Sequence, residues 1–295
     1  MSHFVGSVIV PEEIAISKWR CRKRYLCMRH RGGNEMDFVM AKVKAHFRKS
    51  LIYPVGAVLT EETVKSVFNA QARLEMYKHK PWPVSPGSVS VVLARESKSR
   101  CFQHPLFEHY ATNNALEPLS NRTPTEQQYV EVFSSALEQS LVTLKYSTIC
   151  KMLEAAACAL TGTIVTIRAT RVGVRPDKRG CTVEFVQPSD IPAALMALWK
   201  YMADLPSSRQ DLLGASVATV GLMNCHPFLD GNGRLARVLF NALMGRTSQN
   251  YIPLYDFYNC SPGAHVLRIR QAELFGEWDD WVRFHCDIIG FMAGH

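Results

Sequence analysis

Residues 226–237 read His-Pro-Phe-Leu-Asp-Gly-Asn-Gly-Arg-Leu-Ala-Arg. These twelve positions hold an imidazole, a carboxylate, two glycines flanking an asparagine, and two guanidinium groups. An imidazole near its ordinary pKa can take a proton from a hydroxyl at neutral pH. Gly231 and Gly233 allow the positive φ angles that turn successive backbone N–H groups, including that of Asn232, onto one anion. Arg234 and Arg237 lie three apart on one helical face, and guanidinium forks suit phosphate oxygens. Asp230 is a hard oxygen donor of the kind magnesium uses beside phosphates. Together these groups could hold a nucleoside triphosphate while a hydroxyl attacks one of its phosphorus atoms. Each has a plainer use alone, since Gly-Asn-Gly is usually a turn and helix-face arginines are usually solvated. Their conjunction in one loop-to-helix unit is what points to phosphate chemistry.

Two helices must position that unit. Residues 211–224 (DLLGASVATVGLMN) are apolar on nearly every side, which predicts a helix buried in a core. Ser207 and Ser208 are candidate N-caps for it, with Asp211 favourable in its first turn. Pro227 disfavours the α conformation at the residue before it and ends the helix at His226. Phe228 is the expected hydrophobic pin for the loop. A second helix from about 234 to 244 carries Leu235, Val238, Leu239 and Leu243 at helical spacing. Its positive N-terminal end points toward the same nest.

The stretch from His226 to Arg234, followed by Arg237, resembles the signature of the Fic (Fido) domain family, His-x-Phe-x-Asp/Glu-Gly-Asn-Gly/Lys-Arg-x-x-Arg. Every defined position matches. The resemblance implies a mainly α fold: a Fic-type helical core with a small β-hairpin flap, plus a helical N-terminal extension. It implies AMP transfer from ATP to a Ser, Thr or Tyr hydroxyl of a target protein, with His226 as the base. Asp230 would hold Mg²⁺, Gly231, Asn232 and Gly233 would form an anion hole, and Arg234 and Arg237 would bind the triphosphate. Relatives of this kind also transfer UMP, phosphate or phosphocholine, or remove AMP, and a non-catalytic nucleotide-binding module is a further alternative.

Two more stretches extend the likeness over about residues 124–290. Residues 163–192 read as short strands around the polar turn Pro176-Asp177-Lys178-Arg179-Gly180. Gly173-Val174-Arg175 loosely resembles the Gly-x-x-Arg that opens the family's flap. Thr182, Val183, Glu184, Phe185 and Val186 would be the strand that docks the target by backbone pairing. Near the C-terminus, residues 276–281 (GEWDDW) and the apolar run after them resemble the family's closing helix.

Thr123-Pro124-Thr125-Glu126 looks like a helix start, with a Thr N-cap, Pro at N1 and Glu at N3. Residues 124 to about 140 then form an amphipathic helix with Tyr129, Val132, Phe133, Ala136 and Leu137 on its apolar side. On it, Ser134-Ser135-Ala136-Leu137-Glu138-Gln139 resembles the family's inhibitory motif, Ser/Thr-x-x-x-Glu-Gly/Asn, departing from it at Gln139. The resemblance implies a brake in which Glu138 pairs with Arg237. Without the resemblance, Glu138 is a surface glutamate on an ordinary helix.

The remaining sequence bounds the reading. The 295 residues divide into a basic, mainly helical extension at 1–112 and a catalytic core at 113–295. In the extension, residues 36–49 carry Met40, Val43 and Phe47 at helical spacing. Thr60 is a candidate N-cap for a helix with Glu61 and Glu62 in its first turn and Val64, Val67 and Phe68 on its apolar side. No apolar run approaches a membrane span, and Glu12 and Glu13 interrupt the first apolar stretch, so neither a membrane partner nor a signal peptide is expected. Nine scattered cysteines without a C-x-x-C pair read as reduced thiols, which fits a cytoplasmic protein or an effector acting in a host cytosol. Net charge is +8, and residues 18–31 hold seven Lys or Arg with two aromatics. That run is either an acidic-partner or nucleic-acid patch or a solvated basic segment. No nucleic-acid motif accompanies it, so the solvated reading is preferred. Tyr251, Tyr255 and Tyr258 are candidates for the adenine side, with core packing as the commoner use. Self-modification and homo-oligomerisation stay open.

Overall fold

The computed structural model describes residues 59–89, 91–93, 122–173, 184–205, 211–260 and 262–294. Within them the chain is helical. Helices α1 (Glu61–Met76), α2 (Arg122–Thr143) and α3 (Tyr146–Thr161) come first, then α4 (Ile191–Ala203), α5 (Leu212–Cys225) and α6 (Asn232–Leu243). Helices α7 (Leu254–Cys260), α8 (Pro262–Phe275) and α9 (Asp279–Met292) close the order. The expected helix at 36–49, the basic run at 18–31 and the boundary at 112 lie outside the described residues. Among the described residues, no helix is long and apolar enough to cross a membrane.

Helix α5 is the central pillar. Asp211 caps it, accepting a hydrogen bond from the Leu213 N–H at 3.1 Å. Twelve of its fourteen residues are buried, as an element apolar on all sides requires. One side packs with α2, α3, α4 and α6 in a cluster that includes Phe133, Leu153, Trp199, Leu222 and Leu239. The other packs with α1, α7, α8 and α9 around Leu74, Val217, Phe240, Trp281 and Ile289. Helices α5 and α6, which flank the signature loop, are therefore held from both sides.

Helix α1 starts at the expected Thr60 cap, whose Oγ1 accepts from the Thr63 N–H at 3.4 Å. Its buried face differs from the expectation. Val64 and Phe68 are exposed, while Thr63, Ala70 and Leu74 turn inward. Packing on α9 selects that face: Asp279, at the start of α9, accepts from both the backbone N–H and the hydroxyl of Thr60. Docking on a helix end outweighed the local apolar pattern.

His285 on α9 is fully buried. Its Nδ1 lies 3.0 Å from the Trp281 carbonyl and its Nε2 2.9 Å from the Tyr258 hydroxyl. A carbonyl only accepts, so Nδ1 carries the proton and Nε2 accepts from Tyr258. Burial pushes the His285 pKa down to about 3. The unfolded chain therefore binds this proton first, and the stability His285 contributes declines as pH falls below 6.5 toward 3. Asp256 and Asp287, each lifted to about 6 by burial, act in the opposite sense. The clean readout is thus a difference. In urea unfolding, His285→Gln should destabilise the protein less at pH 5 than at pH 7, and an equal loss at both pH values would refute the assignment.

Candidate active site

The loop from α5 to α6 makes an abrupt turn at His226, the left-handed C-cap of α5 with φ 47° and ψ 58°. For a residue with a side chain that conformation costs about 1–2 kcal/mol, so neighbouring contacts must hold it. The imidazole is partly exposed, with Nδ1 3.4 Å from the Met223 carbonyl, which favours the proton on Nδ1 and leaves the Nε2 lone pair available. Burial pushes the His226 pKa down to about 4; the Arg168 charge adds to this, and the Met223 contact and Asp230 oppose it. The ring is therefore neutral at pH 7. Phe185 lies on its face, with ring centroids 3.9 Å apart and planes 7° from parallel.

Phe228 is fully buried and pins the loop as expected. Asn232 holds it there: its Oδ1 accepts from the Phe228 N–H at 3.0 Å and its Nδ2 donates to the Phe228 carbonyl at 2.8 Å. The Asn232 side chain is thus spent on the loop, and only its backbone can serve an anion. Gly231 has φ 91°, which favours glycine, and a Cβ there would lie a tight 3.0 Å from Thr161 Cγ2. Residues 232 and 233 open α6, whose N-terminal amides and dipole favour phosphate.

Asp230 and Arg234 are joined at 2.6 Å, and Arg234 also donates to the Leu160 carbonyl at 2.9 Å. The other Asp230 oxygen accepts from the Gly231 N–H at 2.7 Å. About half of the Asp230 side chain remains exposed. Among the described residues, no group of three or more His, Cys, Asp or Glu could hold a metal. A single exposed carboxylate nevertheless fits magnesium, which takes most of its ligands from substrate phosphates and water. A small recess of about 50 Å³ is lined by Gly233, Arg237, Met223, Tyr258 and Ile269.

Arg237 is 7% exposed and paired with Glu126, which is fully buried. Its Nε lies 3.0 Å from one Glu126 oxygen, and its Nη2 lies 2.5 Å from the other. The Tyr251 hydroxyl donates to the same carboxylate at 3.0 Å, and the Tyr255 ring lies 4.9 Å from the guanidinium carbon. Tyr251 and Tyr258 are buried, and Tyr258 bonds His285.

This overturns the expected pairing of Arg237 with Glu138. Glu138 is exposed, and Ser134 donates its hydroxyl to the Val130 carbonyl of its own helix. Twelve residues separate Glu126 from Glu138, about 18 Å along a helix, so the two cannot serve one arginine. The expected capping arrangement at Thr123–Glu126 is also replaced. Helix α2 already runs from Arg122, and the Thr123 hydroxyl donates to Asp256 at 3.0 Å. The buried stripe of α2 accordingly runs through Thr123, Glu126, Val130, Phe133, Leu137 and Ser140, while Val132, placed on the apolar side from sequence, is exposed.

Of the expected flap, Thr182 and Val183 lie outside the described residues. The described part shows one antiparallel bridge, Gly173 to Glu184, where a full hairpin was expected. The Phe185 N–H donates to the Val172 carbonyl at 3.0 Å. Val186 is a core residue rather than a docking surface: it is fully buried and its carbonyl is taken by Arg168. Arg168 and Glu126 both went unnoticed in the sequence, one as a lone arginine in a strand-like stretch and the other as a capping glutamate.

Residues 144–244 match the family model described as Fic/DOC family. Among solved structures, the chain is similar to a Fic family protein from Desulfovibrio desulfuricans G20. The identity is 17%, the TM-score 0.48, and the match covers 82% of this chain and 75% of that one. It is also similar to Fic-1 from C. elegans, at 17% identity and a TM-score of 0.40, over 95% of this chain and 72% of that one. No curated protein matches the sequence.

Proposed function

We propose that this protein transfers AMP from magnesium-bound ATP to a Ser, Thr or Tyr hydroxyl of a target protein, and that Glu126 restrains it. One observation carries the reading. A neutral imidazole with an available Nε2 stands at a strained helix end, and the same short loop leads directly into a helix N-terminus bearing Arg234 and Arg237. His226 Nε2 takes the proton of the attacking hydroxyl as its oxygen bonds to the α-phosphorus. The bond from that phosphorus to the bridging oxygen breaks, and pyrophosphate leaves. The amides of residues 232 and 233 and the α6 dipole offset the charge that develops, joined by the Gly231 N–H once Asp230 releases it. Magnesium, which Asp230 would hold once Arg234 yields it, would offset charge on the phosphates. Arg237 reaches a phosphate only after Glu126 lets go, and the Arg237–Glu126 pair supports the reading of a restrained enzyme.

The test uses Glu126→Gly protein with ATP labelled at either the α- or the γ-phosphate. Protein labelled from the α position alone, and no label after His226→Ala, is the expected result. Label from the γ position would mean phosphate transfer. No label from either, with ATP still bound and candidate target proteins supplied, would move the function to another donor, such as UTP or CDP-choline, or to binding alone.

A further inference from the structure

Arg168 is 4% exposed and is bonded entirely to backbone carbonyls. Among the described residues it has no carboxylate partner. Its Nε donates to the His226 carbonyl at 2.6 Å, and its Nη2 donates to the Val186 carbonyl and, at 3.4 Å, to that of Cys225. Its Nη1 donates to the Thr170 carbonyl at 2.8 Å, and its backbone N–H reaches the Pro227 carbonyl at 2.9 Å. Cys225 and His226 end α5, so their carbonyls are orphan acceptors at the negative end of a helix dipole. A cation there is compensated without an acid.

The four side-chain acceptors belong to two separate parts of the protein. Two lie on the catalytic turn. The other two, Thr170 and Val186, lie on opposite legs of the flap, below the bridge from Gly173 to Glu184. Phe185, next to Val186, is the residue stacked on the His226 ring. The backbone of His226 is thus gripped from one side and its ring from the other, and both grips arise from the flap.

We infer that Arg168 is a positioning residue that locks the strained His226 to both legs of the flap, so that the target-docking strand and the base move as one body. This rests on the AMP-transfer reading. A lysine at 168 keeps the charge but has one ammonium group, which cannot span four carbonyls on two segments. Displacement of a reacting group by about 1 Å can cost about 100-fold in rate, with nucleotide binding untouched.

The experiment compares Arg168→Lys and Phe185→Leu in the Glu126→Gly protein. Each should lower the kcat of AMP transfer by at least about tenfold, with the KM for ATP within about twofold. Because buried carbonyls could unfold the chain once Arg168 changes, thermal melting is recorded for each variant, and Phe185→Leu tests the ring side without touching them. A second readout is independent of activity: NMR titration of the His226 imidazole. It should show displaced ring resonances in both variants and, in Arg168→Met, a midpoint raised toward 6.5. Unchanged kcat together with an unchanged His226 spectrum in folded Arg168→Lys would overturn the coupling. If the parent transfers no AMP, the function reading fails while the NMR comparison still decides the positioning role.

Discussion

Glu126→Gly should raise AMP incorporation by more than about tenfold over wild type, whereas Glu138→Gly should leave it unchanged. Both substitutions place glycine in the same helix, α2, where it costs about 1 kcal/mol of helix propensity. They differ in what the lost side chain held. Glu126 meets Arg237 through both carboxylate oxygens, and Glu138 is exposed. Close, hydrogen-bonded charge pairs couple by about 1.5–7 kcal/mol, and each 1.4 kcal/mol is about tenfold in rate or occupancy. On the proposed mechanism, in which Arg237 changes partners before it binds phosphate, tenfold is therefore the floor. The measurement is label transferred from α-labelled ATP at equal protein concentration. Activation by Glu138→Gly, or by both variants equally, would mean that loosening α2 matters and the ion pair does not.

A second expected result separates the proposed brake from simple damage. Removing Glu126 leaves Arg237 buried without its partner, so the variant should melt lower than wild type. Saturating ATP should then raise its melting temperature more than that of wild type, because triphosphate supplies the missing charge.

The loop that gathers the candidate site residues was legible in the sequence because it is local. His226, Asp230, Gly231, Gly233, Arg234 and Arg237 sit in one unit whose glycines, proline and helix pattern leave few alternatives, and α5 and α6 were readable from composition and spacing. The partner of Arg237 was not legible. Thr123-Pro124-Thr125-Glu126 has a complete local explanation as a capping arrangement, and only the packing of α2 on α6 shows that the glutamate faces inward. The degenerate Ser/Thr-x-x-x-Glu pattern then drew attention to Glu138, on the wrong side of the helix. Arg168 gave no signal for a different reason. Its side-chain partners are backbone carbonyls up to 58 residues away, which no side-chain pattern records. Val186 shows a third limit, since a strand-like pattern does not say which alternate residue enters the core.

Arg237→Met should lower stability by about 3–5 kcal/mol, because it leaves the fully buried Glu126 carboxylate without its cation. Glu126→Leu should cost less. Arg237 keeps a slight exposure and the Tyr255 ring beneath it, so the stranded guanidinium has somewhere to turn. The double variant Glu126→Leu, Arg237→Met should recover most of the loss. Two apolar side chains of similar volume can replace a buried ion pair at little or no cost, since neither charge must then be taken out of water. The residual penalty should come from the Tyr251 hydroxyl, which donates to Glu126 and would be left without an acceptor, at about 1–3 kcal/mol. Adding Tyr251→Phe should remove that penalty. Urea unfolding of the four proteins of the cycle, with and without Tyr251→Phe, measures each step. A double variant as unstable as the sum of the singles would mean that the pair holds α2 on α6 and that its place beside the nest is incidental. Recovery close to wild type would mean that the pair adds little to net stability. Its physical effect then lies in where it keeps Arg237: bonded to a buried carboxylate and, on the proposed mechanism, withheld from the phosphate.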